Sequence, residues 1–196
     1  MRVAIFATLV LSFATTVLAS DGITDLQAMT AFLSDAALQI WSTQITNGTS
    51  AYNGPVTPTM DLIANISAQI NASKASLETD QNAFTNGQTG AIETTYLSYI
   101  DTVPTFAQAI ESQGRTWHDE MNAPVFANLQ SLAAAIQAYG SSLRRGQLIS
   151  QTSMIRTIRA VSAVSNAQRS WDRPFNYPGK RSVMRNGRRG EAAGRI

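Results

Sequence analysis

The chain has 196 residues, 44% hydrophobic and 14% charged, with no cysteine. That apolar content excludes wholesale disorder, and the missing cysteine excludes a disulfide framework, so packing alone has to hold the fold. The net charge of +2 is uneven: Ser20 to Gln168 holds six basic and eleven acidic residues, whereas Arg169 to Ile196 holds eight basic and two acidic. The basic pI therefore belongs to the tail and does not mark a nucleic-acid-binding domain.

Residues 1–19 read as a secretory signal peptide. Arg2 supplies the positive start, Val3 to Leu11 the apolar segment, and Val17-Leu18-Ala19 a cleavage site with Ala19 as its last residue. The segment is too short for a membrane anchor and lacks a stop-transfer flank. Residues 20–171 read as one helical domain.

Its first helix starts near Asp21 or Thr24. Ile23, Leu26, Thr30, Leu33, Ala37 and Ile40 recur at heptad spacing, with Met29, Phe32 and Trp41 widening the stripe. Asn47-Gly48-Thr49 stops it, and turn formers fill the loop to Pro58. Thr57-Pro58 opens a second helix as cap and first-turn proline, with Ile63, Ile66, Ile70 and Leu77 on one face. Asn82 to Gly90 reads as a loop.

A third helical run carries Ile92, Tyr96, Tyr99, Ile100, Val103, Phe106 and Ile110, and Pro104 interrupts it. A proline inside a helix costs about 3 kcal/mol, which predicts a kink there or a break near Asp101. Gly114 to Glu120 is a connector.

The next stretch, Asn122 to Leu143, has no charge and reads as the central helix. Asn122 is its expected N-cap, Pro124 lies in its first turn, and Gly140 offers a stop. Its core face is Val125, Phe126, Leu129, Leu132, Ala133, Ile136, Tyr139 and Leu143. Asn128, Gln130 and Gln137 make it too polar to span a membrane. A last helix is expected from Gln147 to Trp171, with Leu148, Ile155, Ile158, Val161 and Val164 facing the core. Residues 172–196 mix proline, glycine and arginine and read as a disordered basic tail. The expected fold is all-α: an antiparallel bundle of about five helices.

Catalytic signatures are missing. His118 is the only histidine, and with no cysteine or second histidine beside Asp119 and Glu120 it makes no metal site. There is no nucleophile elbow for a Ser-His-Asp triad, no carboxylate pair and no phosphate loop. The expectation is a non-enzymatic protein without cofactor or metal. Asn47, Asn65 and Asn71 head three N-glycosylation sequons, and on the wheel Asn65 and Asn71 fall on opposite flanks of their helix's apolar stripe. Lys180-Arg181 and Arg188-Arg189 are dibasic pairs open to secretory proteases after Arg181 and Arg189. Phe32, Trp41, Phe106, Phe126, Leu129, Ile136 and Tyr139 serve either as plain core or as the lining of a lipid site.

Taken together, the signal peptide, the cysteine-free helical domain, the segment FAQAIESQGRTW and the helix VFANLQSLAAAIQAYGSSL resemble the fungal hydrophobic surface-binding protein A family, which includes cell-wall galactomannoproteins. The resemblance covers about Ser20 to Trp171. It implies a secreted helical bundle, extracellular or loosely wall-associated, that adsorbs to apolar surfaces. It further implies fatty acids held between the helices and recruitment of secreted esterases. The basic tail departs from the family, and the Ser/Thr-rich stretch and hydrophobic anchor signal of wall-anchored relatives are missing. Two other readings stand beside it: a precursor whose tail is released by dibasic cleavage, and a structural cell-wall mannoprotein.

Overall fold

The computed structural model describes residues 21–45, 56–115 and 122–172. Of these, 89% are helical and none is in a strand, so the fold is all-α. The elements are α1 (Gly22–Ile45), α2 (Thr57–Thr79), α3 (Gln81–Thr85), α4 (Thr89–Arg115), α5 (Ala123–Arg145) and α6 (Gln151–Ser170). The expected signal peptide with Ala19, the sequon at Asn47, His118 and the tail with Arg181 and Arg189 lie outside the described residues.

Local chemistry sets the helix starts. The Asp21 carboxylate accepts the Ile23 N–H at 3.0 Å at the head of α1. Asp80 caps α3 through the N–H groups of Asn82 and Ala83, and Ser150 Oγ caps α6 by accepting from Ser153 N. Helix α2 begins at Thr57 with Pro58 in its first turn. Its N-cap is the buried Val56, which makes no side-chain cap. Asn122 likewise precedes α5 with helical backbone angles and no capping bond. Its side chain is buried, and neither amide atom has a partner among the described residues.

Five long helices form a ring in the order α1, α4, α6, α5, α2, closed by the sparser α1–α2 seam. Consecutive long helices alternate in direction, yet most spatial neighbours run parallel. A hydrogen bond donated by Asn128 Nδ2 to the Met60 carbonyl and one shared by the Ser73 and Tyr139 hydroxyls align α2 with α5. The bond between the Tyr96 and Thr157 hydroxyls and the one donated by Trp171 Nε1 to the Ile110 carbonyl align α4 with α6. Only α5–α6 and α1–α2 pair antiparallel. The ring therefore gathers the N-termini of α1, α4 and α6 at one end. Asp25 in the first turn of α1 and the two arginines in the last turn of α5 have the signs that complement the dipoles of their own helices.

One continuous core fills the ring, from Leu26, Leu33 and Ile40 through Ile63, Ile70, Tyr96, Tyr99 and Phe106 to Leu129, Ile136 and Val164. Helix α5 contributes one wall of this core rather than its axis, because it touches only α2 and α6 extensively.

Several expectations are corrected. Helix α4 runs unbroken through Pro104. Ile100, Val103, Phe106 and Ala107, which flank the proline, are all buried, and each large side chain buried contributes about 1.5–3 kcal/mol, enough to offset the proline. The predicted loop from Asn82 to Gly90 shrinks to a turn, because α3 occupies its start and α4 already begins at Thr89. Asn86 (φ 45°) and Gly87 (φ 73°) take the left-handed conformation that reverses the chain.

Gly140 does not stop α5. It lies buried inside the helix, where a Cβ would come 2.7 Å from the Tyr96 hydroxyl and 2.9 Å from Thr157 Cγ2. The glycine allows α5 and α6 to approach. The helix ends instead at Gly146, with Gln147 left-handed (φ 59°), Leu148 N donating to Leu143 O and Gln147 N to Arg144 O. This is a Schellman cap, and it delays α6 to Gln151.

The expected face of α6 holds for Leu148 and Val164, which are buried, and for Val161, which packs against the core, but not for the two isoleucines. Ile155 and Ile158 are 45% and 56% exposed, whereas Ser153, Thr157, Ala160, Val164 and Ala167 are buried. Residues three apart precess by about 60° at every step. The series Ile155, Ile158, Val161, Val164 therefore winds from solvent into the core instead of marking one face.

Candidate functional site

Helix α1 buries Leu26, Met29, Leu33, Ala36, Ala37 and Ile40. Leu38 lies about 140° away from the centre of that stripe and is 62% exposed. Beside it, α1 and α4 leave a half-open groove of about 290 Å³, walled by Leu33, Ala37, Leu38 and Trp41 on one side and by Thr102, Thr105 and Asp101 on the other. A second shallow depression of about 310 Å³ continues along the same seam between Thr30 and Thr95. The first is mostly apolar and lies near the lower limit of small-molecule sites, ~300 Å³. It suits part of an alkyl chain or the edge of an apolar surface.

The residues expected to bind lipid divide into two groups. Phe106, Leu129, Ile136 and Tyr139 are sealed in the core, at most 1% exposed. Phe32, Trp41 and Phe126 are half-buried and pack against its rim. Of the seven, only Trp41 lines the groove. Pattern reasoning placed Ile155 and Ile158 in the core and missed Leu38, for which the available signal was a large apolar residue well off its helix's stripe.

The core also carries hydroxyls. Thr157 Oγ1 donates to the Ser153 carbonyl at 3.0 Å and therefore accepts from the Tyr96 hydroxyl at 2.6 Å. Tyr139 and Ser73 share a hydrogen bond at 3.0 Å. The Tyr96 ring lies 5.8 Å from that of Tyr99 and 6.3 Å, edge-on, from that of Tyr139. Burial pushes the Tyr96 hydroxyl up to about 12 against the opposing effect of Thr157, and burial likewise raises Tyr99 and Tyr139. All three phenols stay protonated at any physiological pH. The Tyr99 hydroxyl is buried without a partner among the described residues. These groups position helices; none is poised as an acid or base near neutrality.

Where α4, α5 and α6 meet, Glu93 binds the start of α6. One oxygen accepts the Ser150 N–H at 2.6 Å, and the other accepts from the Ser150 and Ser153 hydroxyls. Desolvation acts to raise the Glu93 carboxyl, but the serine hydrogen bonds and nearby Arg144 outweigh it and leave it below its ordinary value. On the outer surface Arg156 of α6 pairs with Asp101 of α4. Asn65 and Asn71 are both exposed on α2, so glycans there would point to solvent. Among the described residues no group of three His, Cys, Asp or Glu side chains converges for a metal. No described helix is long and apolar enough to cross a membrane.

Comparison with protein-family models, with curated proteins and with solved structures finds no match for this chain.

Proposed function

We propose that the secreted protein is a non-enzymatic binder of hydrophobic surfaces or long-chain lipids, with its helical bundle as the binding element. The observation that carries this reading is the apolar groove between α1 and α4, where Leu38 stands in solvent beside Trp41. Burying a large apolar side chain that is otherwise exposed contributes about 1.5–3 kcal/mol, so Leu38 and Trp41 supply a first foothold on an apolar surface. Deeper engagement requires the ring to part. With no disulfide and a sparse α1–α2 seam, packing alone opposes that opening, and parting would bring Phe32, Phe106, Phe126, Leu129, Ile136 and Tyr139 to the surface. The resemblance to surface-adsorbing fungal proteins points the same way and adds recruitment of a secreted esterase as a consequence of adsorption.

The test is adsorption of the secreted protein to uncharged hydrophobic beads, and binding of a fluorescent fatty acid, at low and high salt. Desolvation is insensitive to screening, so binding should persist at high salt and weaken several-fold in Leu38→Ser/Trp41→Ala. No binding in either assay at micromolar protein overturns the reading.

A further inference from the structure

We propose that the outward face of α6 docks the closed bundle onto an anionic lipid bilayer. The charge of the folded chain is segregated. Between Asp21 and Thr85 there are six carboxylates and one lysine, whereas between Ala123 and Ser170 there are five arginines and no carboxylate. In the ring α6 lies opposite the α1–α2 seam, so the two charge classes face different sides of the molecule. Helix α4, between α1 and α6, carries Glu93, Asp101 and Glu111, of which Asp101 pairs with Arg156 and Glu93 holds the start of α6.

On α6 the exposed surface carries Ile155 and Ile158 together with Arg156, Arg159 and Arg169. Arg156 is engaged by Asp101, and Arg159 has no partner among the described residues. Gln151, Thr152, Ser162 and Asn166 complete that exposed surface without adding charge. Two β-branched apolar side chains at the outer pole, flanked by guanidinium groups on long stems, match the layered chemistry of a bilayer surface. The isoleucines enter the acyl boundary while the arginines stay with phosphate.

Charge decides between this occupant and the nearest alternative. A second copy meeting the face by two-fold symmetry would set arginine against arginine. An uncharged apolar surface would leave the arginines unused. The exposed sequons on α2 lie on a different side of the ring, and a glycan there would leave α6 bare. The inference goes beyond adsorption to apolar surfaces and fails separately from it, because docking needs no opening of the helices and depends on charge.

The chain beyond Asp172 adds seven basic residues and one acidic, so the experiment must separate that segment from the α6 face while using the full secreted chain. Since the protein has no cysteine, Ile158→Cys can carry a single environment-sensitive fluorophore, with Ala68→Cys on exposed α2 as the control. The probes are vesicles of phosphatidylcholine alone and of phosphatidylcholine with phosphatidylglycerol.

The label at 158 should shift to the blue and brighten on the anionic vesicles only, and the label at 68 should not respond. In the unlabelled protein, Ile155→Ser/Ile158→Ser should weaken binding to anionic vesicles about tenfold with unchanged circular dichroism, and Arg159→Gln should weaken it a few-fold. Vesicle binding without a response at 158 means that the tail alone binds, and overturns the proposal. So do an equal response on neutral vesicles, a response that follows protein concentration without lipid, and a failure to bind anionic vesicles. Adsorption to uncharged beads at high salt tests the apolar reading on its own.

Discussion

Helices α5 and α6 are antiparallel neighbours of 23 and 20 residues, and they build their share of the core by opposite means. Helix α5 buries large apolar side chains at the positions that helical periodicity marks: Val125, Leu129, Leu132, Ile136, Tyr139 and Leu143. Helix α6 buries Ser153, Thr157, Ala160 and Ala167, with Val164 the largest side chain among its buried positions, and leaves two isoleucines in solvent. The difference lies in how closely the backbones approach. At Gly140 the two helices come so near that a single methyl group would meet Tyr96 and Thr157, and only small side chains fit such a crossing. The small residues can be polar because each hydroxyl finds a partner. Thr157 takes Tyr96 and the Ser153 carbonyl, and Ser153 takes Glu93. Burying an unpaired hydroxyl would cost about 1–3 kcal/mol.

The largest effect that would break this comparison is a charge on each helix's apolar position. Ile136→Asp places an unpaired carboxylate at a 1% exposed site, which costs several kcal/mol out of a typical total of ~5–15. The variant should fail to fold. Ile158→Asp, at a 56% exposed site, should stay within about 0.5 kcal/mol of the parent in urea denaturation followed by circular dichroism. Comparable losses at the two positions would mean that the isoleucine of α6 belongs to the core after all.

These two positions also show what was legible in the sequence. Where a helix packs through large residues, the apolar stripe is the buried face, and α1, α2, α4 and α5 could be read correctly on that basis. Where it packs through a close crossing, the stripe is weak, and α6 offered a series at intervals of three that winds around the helix. Gly140 was noticed for the wrong reason, since its freedom suggested a helix end while its lack of a side chain serves a helix contact. The candidate groove could not be read at all. It depends on Leu38 being left over by α1 and on which helix lies beside it, and adjacency in the ring is a tertiary fact. The parallel α1–α4 and α4–α6 pairs also stay hidden, because connection lengths report sequence neighbours only.

A smaller effect sharpens the account of the crossing. Gly140→Val should destabilise by roughly 1–3 kcal/mol, the usual cost of overpacking, because the Tyr96 hydroxyl and Thr157 cannot both move away. Gly90→Ala, in a helix with open space around the added methyl, should be neutral or stabilising by up to about 1 kcal/mol. Thermal melts of the two variants should therefore move in opposite directions. A stable Gly140→Val would show that α5 and α6 are not in tight contact there.

The hydroxyl pairs come next. Tyr96→Phe removes one hydrogen bond but leaves Thr157 bonded to the Ser153 carbonyl, so it should cost about 0.5–1.5 kcal/mol. Thr157→Val keeps the shape and strands the Tyr96 hydroxyl in the core, which should cost more, about 1–3 kcal/mol. The ordering of the two variants in chemical denaturation is the test. Equal costs would mean that the Tyr96 hydroxyl reaches water or another acceptor once Thr157 is gone.

The smallest effect lies at the start of α6, where Glu93 holds Ser150 and Ser153. Desolvation works to raise its carboxyl, and the hydrogen bonds from Ser153 and Ser150 overcome it and leave it below the ordinary carboxylate range. A carboxylate held lower in the folded chain than in the unfolded one binds protons more readily when unfolded. Its stabilising contribution is therefore complete above the ordinary carboxylate range and is lost as pH falls through the lowered value. Acidification from pH 6 to pH 3 should thus loosen the attachment of α6 to α4 without collapsing the core, whose tyrosines do not titrate there. Glu93→Gln should remove this part of the pH dependence while lowering stability modestly at pH 6. Glu78 is also lowered, through Lys74 and Ser142, but its side chain lies at the surface, so added salt should suppress its share and leave that of Glu93 largely in place. Urea denaturation of the parent and the Glu93→Gln variant at pH 6 and pH 3 in high salt reads the difference directly. If the two lose the same stability on acidification, the serine hydrogen bonds to Glu93 do not hold α6, and the buried hydroxyls of its inner face carry that attachment alone.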